Sequence, residues 1–318
     1  MHTIDYVYRF DPDNPKQKSL PSDAEAARKM LENGNRVFAK WMDNCRNCGG
    51  HHHDHEYVVH TNTLQPGLAA GPSEAPKQAP FAIVVGCSDA RAPLEMLFGQ
   101  GFNDLFVVRV AGNVLGDVCV GSVEYALHSL SESVKCVVTL GHLGCGAVTG
   151  AVDCYLRPDQ FWDQKMSPML RSIIHRIFAA VRESDNAIKQ VWGGGYRSQP
   201  GYREALIDVA VCVNAAHSAY DIRHEVERAG KPDIKVLYGV FSLRNNQISM
   251  PVDPWAPVAE ENVNLAHAPA SSKDFNSLAL RMAEKIKASS GPAQKPAVAE
   301  KRRESHDHIG MEMPYRPL

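Results

Sequence analysis

The sequence predicts an α/β protein: a central, mostly parallel β-sheet flanked by helices, with an N-terminal helical arm and a C-terminal extension. Three observations lead there. Four apolar, β-rich runs recur at residues 81–87 (FAIVVGC), 104–110 (DLFVVRV), 134–142 (VKCVVTLGH) and 233–243 (DIKVLYGVFSL). They are continuous rather than alternating, which suits strands buried on both faces. Helix-like stretches at 92–99, 119–130, 145–156, 166–183 and 203–229 separate or follow them, and such alternation argues for a parallel sheet. Finally, two of the runs stop at side chains able to bind metal, Cys87 and His142.

The elements before the first run read differently. Residues 23–42 form an amphipathic helix in this reading. Ser22 or Asp23 is placed to cap it, and Ala26, Met30, Leu31, Val37 and Phe38 supply the apolar face. Residues 43–80 are dominated by Gly, Pro and His and read as a long loop. Beyond 250 the chain is Pro- and Ala-rich, with one further helix expected at 278–288. The expected organisation is therefore an arm and loop at 1–80, a metal-binding α/β core at 81–250, and a partly flexible extension at 251–318. No internal repeat is seen.

Composition narrows the function. The chain has 318 residues, a net charge of -2 and a pI near 6.7. Nucleic acid or an anionic membrane surface would favour a basic excess, so neither is expected as a partner. No apolar run approaches the ~18–20 residues of a membrane span. The first residues lack a basic segment followed by an apolar one, so no export signal is expected and the cytoplasm is the expected location. In that setting the eight cysteines read as thiols or metal ligands rather than four disulfides.

Chemistry concentrates at the strand ends. In open α/β sheets, loops and helix N-termini converge at the carboxyl ends of strands. Neighbouring strands ending at Cys87 and His142 would bring those side chains together. Cys145 follows three residues later, across Gly144, and opens the next helix, where the dipole and free N–H groups stabilise a thiolate. Cys, His and Cys suit zinc, and three protein ligands leave a fourth position open for catalysis. An HxxC pair alone is also common in plain cores; Cys87 at a matching strand end is what strengthens the reading.

Beside Cys87 lies the segment CSDAR (87–91). In an extended segment Cys87, Asp89 and Arg91 share one side, and Arg91 can hold Asp89 by a charge-assisted pair. A carboxylate held ionised beside a metal is one reading. A simple strand-end ion pair is the other. A phosphatase-type cradle is excluded, because it needs five residues between Cys and Arg and three are present.

At this point the sequence resembles the β-class carbonic anhydrases. The resemblance is carried by CSDAR (87–91), DLFVVRVAGN (104–113), SVEYAL (122–127), GHLGCGAV (141–148) and VLYGVFSLRNNQI (236–248). It covers roughly 78–250. It implies that Cys87, His142 and Cys145 hold one catalytic zinc and that Asp89 and Arg91 form the dyad beside it. It further implies that Gln78, Phe106, Tyr125 and Gly146 line the substrate pocket, although Phe106 and Tyr125 are equally readable as core. The implied reaction is reversible hydration of CO2 to bicarbonate and a proton by hydroxide generated at zinc. The implied assembly is a homodimer or larger. One departure is Val110 after Arg109, where the family usually has Asn. A CS2 or COS hydrolase of the same fold, or a zinc scaffold or sensor without turnover, are the alternatives.

A second cluster, CRNCGGHHHDHE (45–56), is not covered by the resemblance. Cys45, Cys48, His51, His52, His53 and His55 could form another metal site. A His-rich loop that scavenges metal weakly is the plainer reading, because no second ligand pair stands at zinc-finger spacing.

Overall fold

The computed structural model describes residues 4–9, 20–47, 55–61, 75–162, 166–249 and 265–289. In chain order the elements are β1 (Ile4–Arg9), α1 (Ala24–Asn47), β2 (His55–His60), β3 (Ala82–Gly86), α2 (Leu94–Leu97), β4 (Leu105–Arg109), α3 (Asp117–Ser129) and β5 (Cys136–His142). There follow α4 (Gly146–Leu156), α5 (Pro158–Phe161), α6 (Pro168–Trp192), α7 (Tyr202–Arg228), β6 (Lys235–Phe241), β7 (Ile248–Ser249), β8 (Ala266–His267) and α8 (Ser272–Ser289).

All four apolar runs are strands of one sheet, ordered β4-β3-β5-β6-β7, with β8 also paired to β6. β4, β3, β5 and β6 are parallel, while the short β7 and β8 run antiparallel on β6. The fold class is thus α/β with a mostly parallel sheet. Its inner strands are buried on both faces, which is why their sequences are unbroken apolar runs. Alternate residues then serve two cores. Ala82, Val84, Val138 and Leu140 pack with Ala27, Leu31 and Phe38 of α1 and with Tyr57 and Val59 of β2. Ile83, Val85 and Val137 pack on the other face with α3, α4, α6 and α7, and Phe275, Leu278 and Met282 of α8 join that core. Each large side chain buried this way contributes about 1.5–3 kcal/mol of transfer free energy.

Two expectations about the first eighty residues need correction. The segment 43–80 is not loop throughout: α1 continues to Asn47, and 55–60 form β2. β2 pairs in parallel with β1, which the sequence reading did not see at all. The signal was weak because these strands are six residues each and meet across a long sequence separation. What holds β2 down is its alternation, with Tyr57 and Val59 buried and the Tyr57 hydroxyl donating to the Met96 carbonyl. In α1 the capping residue is Asp23, whose Oδ1 accepts from the Ala26 N–H at 2.8 Å. Val37, expected on the apolar face, is 49% exposed, while Ala27 and Asn35 take buried positions instead.

Among the described residues, no helix is long and apolar enough to cross a membrane.

Candidate metal centre

β3 and β5 are direct neighbours, with Gly86 opposite Leu140. The chain leaves β3 at Cys87 and β5 ends on His142, so both side chains project from the same end of the sheet. Gly144 then turns the chain with φ +68, a left-handed conformation that favours glycine. That turn delivers Cys145 to the residue preceding α4. The three predicted ligands meet: their donor atoms all lie within 4.8 Å of one another, and all three residues are buried.

The donor set fits zinc. The two Sγ atoms are 3.9 Å apart, close to the ~3.8 Å between tetrahedral sulfurs bound at about 2.3 Å. His142 Nδ1 lies 3.1 Å from the Leu143 carbonyl. A proton on Nδ1 leaves the Nε2 lone pair free, and Nε2 is buried without a hydrogen-bond partner. A buried, orphaned imidazole nitrogen beside two thiols is costly unless something binds it.

Electrostatics favour a thiolate. The Cys145 thiol, together with the His142 ring and the N–H groups of Asp89 and Gly112, pulls the Cys87 thiol far below its ordinary range against the opposing effect of burial. The same close pairing pushes Cys145 upward, and burial adds to it, while N–H groups at the start of α4 pull the other way. The pair therefore gives up its first proton far more readily than its second, and the thiol that keeps its proton steadies the neighbouring thiolate.

Asp89 sits at the rim. Arg91 grips it with two bonds, Nε to Oδ1 at 2.9 Å and Nη2 to Oδ2 at 2.7 Å, and this pairing lowers the Asp89 pKa to about 2. Asp89 Oδ2 is 3.7 Å from His142 Nε2. Arg91 Nη2 also reaches the Gly144 carbonyl at 3.3 Å, tying the two ligand-bearing loops together.

The other expected site residues are less gathered. Phe106 on β4 and Tyr125 on α3 face each other with centroids 6.3 Å apart, and Tyr125 is 54% exposed. Gln78 is exposed, on a segment pinned by Asn103 through Lys77 and Ala79. Gly146 is the exposed first residue of α4. Of the second cluster, Cys45 lies in α1 and His55 begins β2; Cys48, His51, His52 and His53 lie outside the described residues.

The sequence reading missed a contributor at the end of β4. Arg109, at the end of β4, donates Nε to the Cys87 carbonyl at 3.1 Å and Nη2 to the Asp89 carbonyl at 2.6 Å. It fixes the backbone between the ligand and the carboxylate. A charged residue closing an otherwise apolar strand was the available signal.

The family model described as carbonic anhydrase matches residues 82–247. The chain belongs to the β-carbonic anhydrase family. Carbonic anhydrase 2 of Mycobacterium tuberculosis is 40% identical over 127 residues, 40% of this chain and 52% of that protein. The carbonic anhydrase of Mycolicibacterium smegmatis is 37% identical over 115 residues, 36% of this chain and 52% of that protein. The matched segment thus spans about half the length of these relatives. Two solved structures overlap more loosely. A Coccomyxa β-carbonic anhydrase in complex with acetazolamide has 19% identity and a TM-score of 0.43, covering 69% of this chain and 85% of that one. A tetrameric β-carbonic anhydrase from Sordaria macrospora has 21% identity and a TM-score of 0.42, covering 68% and 92%.

Proposed function

We propose that the chain hydrates carbon dioxide reversibly to bicarbonate and a proton, using one zinc ion held by Cys87, His142 and Cys145. The observation that carries this reading is the position of Asp89: gripped by Arg91, its carboxylate stands 3.7 Å from His142 Nε2, at the rim of the three donors. When bound, zinc supplies the Lewis acidity that lets water act as a nucleophile near neutral pH.

The residues around it divide the remaining work. Asp89 accepts a hydrogen bond from the attacking water and turns its lone pair toward the carbon of CO2. Because its pKa is held to about 2, it stays a carboxylate throughout and orients the water rather than storing the released proton, which leaves to buffer. Phe106 and Tyr125 offer an apolar wall that keeps competing water off the substrate. The Gln78 amide donates to an oxygen of substrate or product, and the Gly146 N–H meets bicarbonate. Gln78 and Tyr125 are exposed in the single chain, which supports a homodimer or larger homo-oligomer in which a second copy completes the pocket. Free thiols at Cys119, Cys136, Cys154 and Cys212 suit a cytoplasmic setting.

Two thiolates neutralise the charge of Zn²⁺, whereas three imidazoles would leave it, so the acidification of water is weaker here. CO2 hydration by the zinc-loaded protein, followed by stopped flow from pH 6 to 9, is expected to rise above neutrality. A flat profile would count against this account. Hydrolysis of COS or CS2 without CO2 hydration would assign the chain to different chemistry at the same site.

A further inference from the structure

The turn that follows β4 touches the ligand cluster in a way the proposed reaction does not use. Gly112 N–H donates to Cys87 Sγ at 3.3 Å. The turn reaches that position only by two consecutive left-handed residues, Gly112 at φ +68 and Asn113 at φ +46. A Cβ on Gly112 would come within 3.0 Å of Ala147 and Ile177 side-chain atoms. Glycine and asparagine both take up the left-handed conformation readily, so the contacts around the turn decide where its N–H points.

The fixing groups come from α7, on the far side of the turn. Asn214 donates its side-chain N–H to the Gly112 carbonyl at 2.8 Å, and the Ser218 hydroxyl donates to the Asn113 carbonyl at 2.9 Å. The two residues are one helical turn apart and share a face. Both are buried, at 4% and 5% exposure. Two donors on a rigid 27-residue helix thus clamp the carbonyls of Gly112 and Asn113, and so hold in place the residue whose N–H, just before them in the chain, points at sulfur.

We infer that Asn214 and Ser218 are positioning residues that tune the metal centre by holding the Gly112 N–H on the Cys87 thiolate. A hydrogen bond to a ligating thiolate withdraws electron density from sulfur. The thiolate then donates less to the metal, and the metal remains the stronger Lewis acid. Neither residue touches substrate; both act through the Gly112 backbone. The inference rests on the metal reading of the cluster, not on carbon dioxide as substrate.

The test loads chelator-stripped wild type, Ser218→Ala and Asn214→Ala with cobalt(II) alone and records the thiolate-to-metal charge-transfer band in the near ultraviolet. Losing the hydrogen bond raises the sulfur lone-pair energy, so the band is expected to move to longer wavelength in each variant at equal cobalt content. Turnover of the zinc forms is expected to fall by about tenfold with KM unchanged. Ser218→Ala removes one hydroxyl without adding bulk, so it keeps the test decisive if Asn214→Ala fails to fold. Bands identical to wild type in folded, fully loaded variants would overturn the inference. A wild type that binds no cobalt would remove the metal reading and this inference with it; a normal cobalt band with no CO2 hydration would leave the inference standing and remove only the proposed reaction.

Discussion

The same three strands, β3, β5 and β6, present two different ends. At the carboxyl end, Cys87, His142 and Cys145 are 6%, 1% and 1% exposed, and the loops around them are laced by bonds from Arg91, Arg109, Asn214 and Ser218. At the amino end, an open cavity of about 790 Å³ is rimmed by Lys135, Lys231 and Lys235. Their ammonium groups donate to nearby backbone carbonyls or to the Ser131 hydroxyl. The difference follows from strand polarity. In a parallel sheet every strand delivers its following loop, and the helix N-terminus beyond it, to one end. Polar groups there can be buried because backbone donors and acceptors are at hand. The other end has the closing turns, and water solvates its charges.

That contrast orders the expected effects of substitution. Cys145→Ser removes a soft ligand from the buried group; bound zinc should fall well below one per chain, read by elemental analysis, with CO2 hydration falling to the uncatalysed rate. Asp89→Ala spares all three ligands, so zinc content should hold near one per chain while turnover drops about 10–100-fold; turnover matching wild type would strip Asp89 of its role. Arg109→Ala releases the Cys87 and Asp89 carbonyls. Thermal unfolding should show a loss of about 1–2 kcal/mol, with a smaller fall in turnover. Lys231→Ala at the opposite end should leave turnover unchanged and shift stability by less than about 0.5 kcal/mol. A large activity loss from that last change would erase the contrast between the two ends.

The legibility of the sequence follows the same division. The buried strands were readable because burial on both faces demands unbroken apolar runs, and Val84, Val138 and Val240 all sit where those runs placed them. Cys87 and His142 were readable as a pair because strand ends are where parallel neighbours meet. β1 and β2 were not readable, since a six-residue strand whose partner lies some fifty positions away leaves a short, ambiguous pattern. Arg109, Asn214 and Ser218 were missed for a related reason: each acts on a backbone carbonyl of a distant loop, and such a contact has no periodicity. Asn214 and Ser218 read in sequence as ordinary helical polar residues; only the approach of α7 to the turn at 111–113 gives them a task.

The most direct test of the central claim titrates zinc into chelator-stripped protein and follows CO2 hydration. Cys87, His142 and Cys145 as the sole catalytic site predict a rate that climbs in proportion to zinc and levels off at one zinc per chain. A protein that binds that zinc and still hydrates CO2 at the uncatalysed rate would contradict it.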